Sequence, residues 1–291
     1  MSLNGPLFEI RSGEYAATIA SSGATLVGLR HAGRRITASF DARAAVGEGW
    51  EGRALAPWPN RIPEGRYSFA GVDYEVPIND HAHQAALHGL AGHQAWGLVE
   101  AAEDRVALAL DLPGSLGYPF DVSLSASYSL SRDGLSVSLA ATNLGVAPAP
   151  VALGSHPYLT WDDAPLDECS VQAPGVTALL VDERLAPIRL VDVAEADLDF
   201  RTPTPFAGRR VDTAFQAPDG AWAIELRHAA GGVVLRSEAP WLQLFSADPL
   251  GRRALAAEPM THGPNAFNGP DADVALAAGA SRTLRYTIAV L

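Results

Sequence analysis

The sequence predicts an all-β protein, one large sandwich of antiparallel sheets spanning residues 1–291. Three observations carry that expectation. Apolar and polar residues alternate with a period of two over many short runs. Segments rich in the chain's 27 glycines and 21 prolines separate those runs. Few windows show an apolar stripe at helical spacing. Many short strands at close spacing indicate a sandwich or barrel. No linker, composition break or internal repeat divides the chain, so a single domain is expected.

The elements follow in order. Tyr15–Ala20 and Thr25–Arg30 read as strands, and Ala42–Trp50 as a short helix or a turn. The run Ala56-Pro57-Trp58-Pro59-Asn60-Arg61-Ile62-Pro63-Glu64-Gly65 is too dense in proline for a helix interior or a central strand. It reads as a stiff loop presenting Trp58, Asn60 and Arg61, before a strand at Arg66–Phe69. Arg105–Leu112 reads as a mostly buried strand. Asp121–Leu130 alternates cleanly, Asp133-Gly134 signals a turn, and Leu135–Thr142 alternates again, which together make an antiparallel hairpin. Val193–Leu198 is a second short helix or turn. Strands are expected at Ala221–His228, Val233–Ser237, Leu242–Ser246 and Arg282–Val290.

Composition narrows the function. A hydrophobic content of 48% over 291 residues is enough for a large core, and the formal charge is −12. That acidity argues against nucleic acid or an anionic membrane as partner, because their phosphates would be repelled. No Gly-rich phosphate loop and no Cys-x-x-Cys occur, and the single cysteine, Cys169, permits neither a disulfide framework nor a multi-thiolate metal site. With no evident signal peptide and no long apolar run, a soluble cytoplasmic protein is expected.

Several residues have the chemistry for a site. Arg61 beside Trp58 suits stacking on and hydrogen bonding to polyhydroxylated ligands, and it equally suits an ion pair that holds the loop. His81, His83, His88 and His93 cluster in sequence, but no acidic residue at convincing spacing completes a metal set. His81, His83 and His93 read as solvated. His88, in Ala85-Ala86-Leu87-His88-Gly89, reads either as a donor to a ligand oxygen or as a satisfied core histidine. His156, in Gly154-Ser155-His156-Pro157-Tyr158-Leu159-Thr160, is held extended by the following proline. Ser155 and His156 then point to opposite faces, which excludes a serine–histidine pair. Histidine alone remains a suitable acid or base near neutrality. Glu258 closes the apolar run Ala254–Glu258, and Asp212 lies in Val211-Asp212-Thr213-Ala214-Phe215; each carboxylate is costly there unless solvated, paired or used.

Taken together, PWPNRIPEGRYSFAGVDYEVPIND, LHGLAGHQAWGL, GSHPYLTW, VDTAF and AAEPMTHGPNAFN resemble, in order, the aldose 1-epimerase family, over Pro57 to Asn268. The resemblance implies a galactose-mutarotase-like β-sandwich, a sugar as the small-molecule partner, and no metal or organic cofactor. It further implies Glu258 as general base and His156 as general acid. Arg61 and His88 would hold the sugar near its ring oxygen and anomeric carbon, and Asp212 its hydroxyls, with Asn60 and Trp58 alongside. Two positions depart from the galactose-type pattern. Pro259-Met260 replaces a glutamine-bearing segment after the base, and Leu159-Thr160 replaces Phe-Asn after His-Pro-Tyr. A modified sugar such as sulfoquinovose is therefore an alternative substrate. Its anionic group would need a cation from among Arg30, Arg34, Arg35, Arg53 and His93. A carbohydrate-binding domain without catalysis is the further alternative.

Overall fold

The computed structural model of the chain describes residues 3–291. Two large sheets carry the molecule. The first has nine strands, in the order Gly97–Ala101, Arg105–Leu112, Val122–Ser131, Gly134–Asn143, Ser281–Val290, Gly231–Ser237, Trp222–His228, Ser170–Gln172 and Thr204–Pro205. The second has eight, running from Pro187–Asp192 through Thr177–Val181, Asp212–Gln216, Trp241–Phe245, Leu255–Met260 and Gly154–Ser155 to Ala54–Leu55; Tyr158–Leu159 also pairs with Leu255–Met260. A four-stranded N-terminal sheet is built from Leu7–Ser12, Tyr15–Ala20, Thr25–His31 and Arg34–Arg35.

The expected hairpin forms with Val122 opposite Asn143 and Ser131 opposite Gly134. Its alternation decides its orientation. Leu124, Ala126, Tyr128 and Leu130 are buried, while the intervening serines face outward or sit at the margin. Ala42–Trp50 and Val193–Leu198 resolve as turns and irregular chain rather than helix. Among the described residues the one α-helix is Asp271–Val274.

The core lies between the two large sheets. Leu124, Leu139, Leu235 and Ile288 of the first meet Phe215, Leu242, Leu244, Leu255 and Ala257 of the second in one buried cluster. Because strand side chains alternate, the residues between these point to the opposite face of the second sheet. Asp212 and Ala214, Trp241, Gln243 and Phe245, and Ala256, Glu258 and Met260 therefore share that outer face, and Gln243 stands directly across from Glu258.

Trp58 corrects an expectation. Rather than being presented by its loop, it is 3% exposed and belongs to the core, with its ring 5.7 Å from Phe267 and 6.4 Å from Tyr118. Its indole N–H donates to the Ala86 carbonyl at 3.1 Å. The chain turns between them at Asn60, which is left-handed (φ 54°), so Trp58 packs inward while Arg61 opens the short strand Arg61–Pro63. A Trp58→Ala variant is expected to lose about 3–5 kcal/mol of stability, read by denaturant unfolding.

Candidate active site

The second sheet contains a local defect, and the site is built on it. Along Leu255–Met260, Ala257 N–H donates to Pro157 and Thr261 N–H to Leu153, at 3.0 and 2.8 Å. By the same alternation the Pro259 nitrogen faces that neighbour too, and it has no hydrogen to donate. There the neighbouring strand is interrupted, between Gly154–Ser155 and Tyr158–Leu159. The strand carrying Glu258 thus runs on through proline to Met260, instead of closing at Glu258, because the missing donor coincides with a gap that needs none. His156 occupies the gap. Its N–H donates to the Arg53 carbonyl at 3.1 Å, and its carbonyl accepts from Gly52 at 2.9 Å. Ser155 turns the other way, its hydroxyl 2.8 Å from the Tyr286 hydroxyl, so the two residues do point apart as expected.

His156 Nε2 stands 3.4 Å from Glu258 Oε1, with the residues 5% and 2% exposed. The other polar atom of each, His156 Nδ1 and Glu258 Oε2, is buried without a hydrogen-bond partner. Burial dominates both titrations. It pushes the Glu258 carboxyl well above the ordinary range, helped by the Asp212 charge and opposed by Arg61. It pulls His156 down to about 3, with Arg61 acting in the same direction. These directions describe a pair that cannot carry independent charges.

His88 completes the cluster. It follows the short strand Ala85–Leu87, which pairs with Arg61–Pro63, and it adopts a left-handed backbone (φ 63°). Gly89 is also left-handed, and a Cβ there would collide with the Ala56 carbonyl. The Asn60 N–H donates to His88 Nδ1 at 3.1 Å, and Asn60's carbonyl accepts the His88 N–H at 2.9 Å. Burial first, then the neighbouring His156, Arg61 and His93, hold His88 well below its usual pKa. A neutral ring whose Nδ1 accepts must carry its proton on Nε2, so His88 presents a donor towards His156 and Glu258.

Arg61 reaches the site from the proline-rich loop. Its Nε donates to Asp80 Oδ2 at 2.8 Å, and His83 Nδ1 lies 2.8 Å from the same oxygen. Asp80 occupies only Nε, so the ion pair that holds the loop forms while the outer guanidinium nitrogens are left to other partners. Asp212 accepts a 2.6 Å bond from Gln243 Nε2, and Asn60 Nδ2 donates to Gln243 Oε1 at 3.3 Å. Asn60 is itself buried and spends its Oδ1 on the Arg61 N–H, so it braces the site from beneath.

Sequence reasoning missed four residues here. Gln243 had a signal, a polar residue at the centre of the otherwise apolar Trp241-Leu-Gln-Leu-Phe245. Asp80 had none beyond its place in a polar loop. Tyr158 stacks on His156 (5.0 Å, 13°) and is tied by its hydroxyl to the Gly49 carbonyl at 2.7 Å. Trp50 packs against His88 at 4.9 Å and His93 at 4.6 Å. Neither contact could be read before the fold was known.

Among the described residues, His88, His156 and Glu258 are also the group able to hold a metal ion, with ligand atoms within 4.8 Å of one another. His88 has only Nε2 to offer, since Nδ1 is taken. His81, His83 and His93 stand outside this set.

An antiparallel sandwich with such an acid–base cluster on one sheet falls in the class of galactose mutarotase-like folds. Galactose 1-epimerase from Lactobacillus acidophilus NCFM superposes with a TM-score of 0.86 at 18% identity, covering 100% of this chain and 96% of that one. A GalM/aldose epimerase homologue from C. elegans gives 0.87 at 21%, covering 98% of each. In sequence, the uncharacterized protein YihR of Escherichia coli K12 is 37% identical over 271 residues, 92% of this chain and 88% of its own length. The family model described as Aldose 1-epimerase matches residues 6–289. The chain belongs to the aldose 1-epimerase family and is an isomerase.

The buried histidine makes a testable statement about stability. Between the unfolded value near 6.5 and the folded value of about 3, the unfolded chain binds a proton at His156 that the folded chain does not. This contribution is complete above that window and is lost as pH falls through it. The Tm gap between wild type and His156→Asn is therefore expected to narrow from pH 7 to pH 4, measured by calorimetry.

Proposed function

We propose that the chain is a mutarotase that interconverts the α and β anomers of a hexose, with Glu258 and His156 as its proton-transfer pair. One observation carries this reading. Two groups about a hundred positions apart in sequence meet at 3.4 Å, each keeping one buried polar atom unsatisfied. Such atoms are rare in folded proteins and call for a role.

In the ring-opening direction the Glu258 carboxylate takes the O1 proton, and the His156 imidazolium gives its proton to O5. The C1–O5 bond breaks as the C1=O1 double bond forms. Rotation about C1–C2 turns the other aldehyde face towards O5, and the same transfers run in reverse. The pair holds one proton throughout. It is on His156 when the pair meets the ring and on Glu258 when it meets the aldehyde. Burial favours the second distribution, and Arg61 lowers the pKa of both groups, which helps ionise Glu258 while opposing the charge on His156. No net charge enters the buried site at any stage. The His88 Nε2–H and the free Arg61 nitrogens are placed to donate to sugar oxygens, and Asp212 to accept from hydroxyls. Among the described residues no helix is long and apolar enough to cross a membrane, which fits a working place in the cytoplasm, with the chain acting as one β domain.

Anomer exchange followed by NMR on glucose and galactose tests the reading. Acceleration over buffer is expected, and Glu258→Gln and His156→Asn should each reduce kcat about 10²–10⁴-fold. Folded protein that accelerates no sugar would refute the activity. Wild-type rates in both variants would refute the roles.

A further inference from the structure

The outer face of the second sheet does not end at the proton-transfer pair. Glu258 stands directly across from Gln243, and Gln243 across from Ala214. Ala178 is opposite Phe215 on the core side, so Leu179 joins Ala214 on the outer face, where both belong to one apolar cluster. Leu190, on the edge strand of the sheet, is directly opposite Leu179. One row therefore crosses five strands, from Glu258 through Gln243, Ala214 and Leu179 to Leu190.

The far half of this row is apolar and open. Leu190 is 39% exposed and Leu179 beside it 8%, and Ile188 on the same edge strand is 61% exposed. Trp241 forms a wall along the row, packed against Leu179, Ala214 and Met260. A Cβ on Gly263 would come within 2.9 Å of three atoms of its ring, so the indole lies on that backbone. Trp58, Trp96 and Trp222 each donate their indole N–H to a backbone carbonyl; the half-buried Trp241 makes no such bond among the described residues. The Thr177 hydroxyl, two positions from Leu179, is already engaged with Gln216 at 2.9 Å. Contiguous apolar side chains left open beside a polar site mark a surface that something covers.

The geometry of a pyranose says what reaches this surface. His156 and Glu258 serve O5 and O1 in the mutarotase reading, on which this inference rests. C3 lies opposite O5 across the ring and C4 opposite C1, so those two carbons point away from the pair and towards Asp212. Neighbouring strands are about 4.8 Å apart, which puts the strand of Asp212 about 10 Å from that of Glu258 and the strand of Leu190 about 10 Å farther on. One sugar ring occupies the first span. The second span is left to whatever is attached at C3 or C4.

We propose that Leu179 and Leu190, walled by Trp241, form a second subsite for an apolar group carried on C3 or C4 of the sugar. The substrate class is then a hexose bearing an aryl or alkyl substituent on the edge away from its anomeric carbon. Substitution at one of these carbons leaves the hydroxyl of the other for Asp212. The group covers Leu190 and the open side of the Trp241 ring and removes both from water. A second sugar ring suits the row less well, because its hydroxyls would meet leucine side chains and lose their hydration without new partners.

The experiment compares kcat/KM for anomer exchange of glucose, 3-O-benzylglucose, 4-O-benzylglucose and maltose by NMR. One benzyl ether is expected to exceed glucose by about 10–100-fold, mainly through KM, as burial of a phenyl-sized group implies. In Leu190→Ser the ratio of that ether to glucose should fall at least fivefold, with folding checked by circular dichroism. A wild-type ratio near one for both ethers overturns the subsite whether or not the variant folds. So does maltose exceeding both ethers, or a ratio unchanged in the folded variant. A second copy of the chain is the other occupant this edge strand could take. Sedimentation that shows a dimer dissociated by Leu190→Ser would assign the surface to that copy and overturn the subsite. Should no sugar be turned over, calorimetric titration separates the two ideas. Tighter binding of a benzyl ether than of glucose, lost in Leu190→Ser, upholds the subsite and rejects the mutarotase reading; equal or absent binding rejects the subsite.

Discussion

Two ionisable side chains are buried against each other where a β-ladder fails, and the site depends on that contact. A histidine or a glutamate alone at this depth would be neutral and inert, since either charge is too costly away from water. Placed 3.4 Å apart they can exchange a single proton without net charge. The contact requires His156 to leave the sheet line and lean towards Glu258. Pro259 permits this by lacking the N–H that a continuous neighbour would have had to satisfy. Pro157 keeps His156 out of helical geometry on the other side. The two prolines, far apart in sequence, thus shape the same gap.

The two site histidines differ in what their nitrogens meet, and this separates their roles. Asn60 closes off Nδ1 of His88, so that ring donates through Nε2 and has no second site for relaying a proton. His156 keeps Nδ1 free of any protein partner and faces a carboxylate through Nε2. Its ring is fixed by stacking on Tyr158 and by backbone bonds to Gly52 and Arg53, none of which restricts its protonation state. One ring is held as a donor, and the other is the one whose protonation the proposed relay uses, although both are buried to the same extent.

Much of this could be read from the chain, and the limits have physical causes. Strand locations were accessible because a half-buried strand writes its orientation into a two-residue alternation, as Val122–Ser131 does. Where both faces of a strand are buried, that signal fades. Leu255–Met260 is buried throughout, which is why its end was misplaced at Glu258. Arg61, His88, His156, Asp212 and Glu258 stood out as polar residues in apolar or rigid settings, and their order matched a family pattern. Trp58 was misjudged because a proline-rich loop shows rigidity but not which way each residue turns. Gln243, Trp50 and Tyr158 act through contacts across strands or loops, and no local pattern encodes those.

Charge is distributed around the site in a way that suits the proposed proton transfer. Arg61 is balanced by Asp80 on one side and lies near Asp212 and Glu258 on the other, as their titrations reflect. A further unbalanced cation next to His156 would oppose the imidazolium needed at ring opening. Arg53 is a buried cation nearby, but its guanidinium is turned to the Gly92 carbonyl and His93. Its backbone carbonyl accepts the His156 N–H. The same residue that buries its guanidinium thus supports the histidine with its main chain.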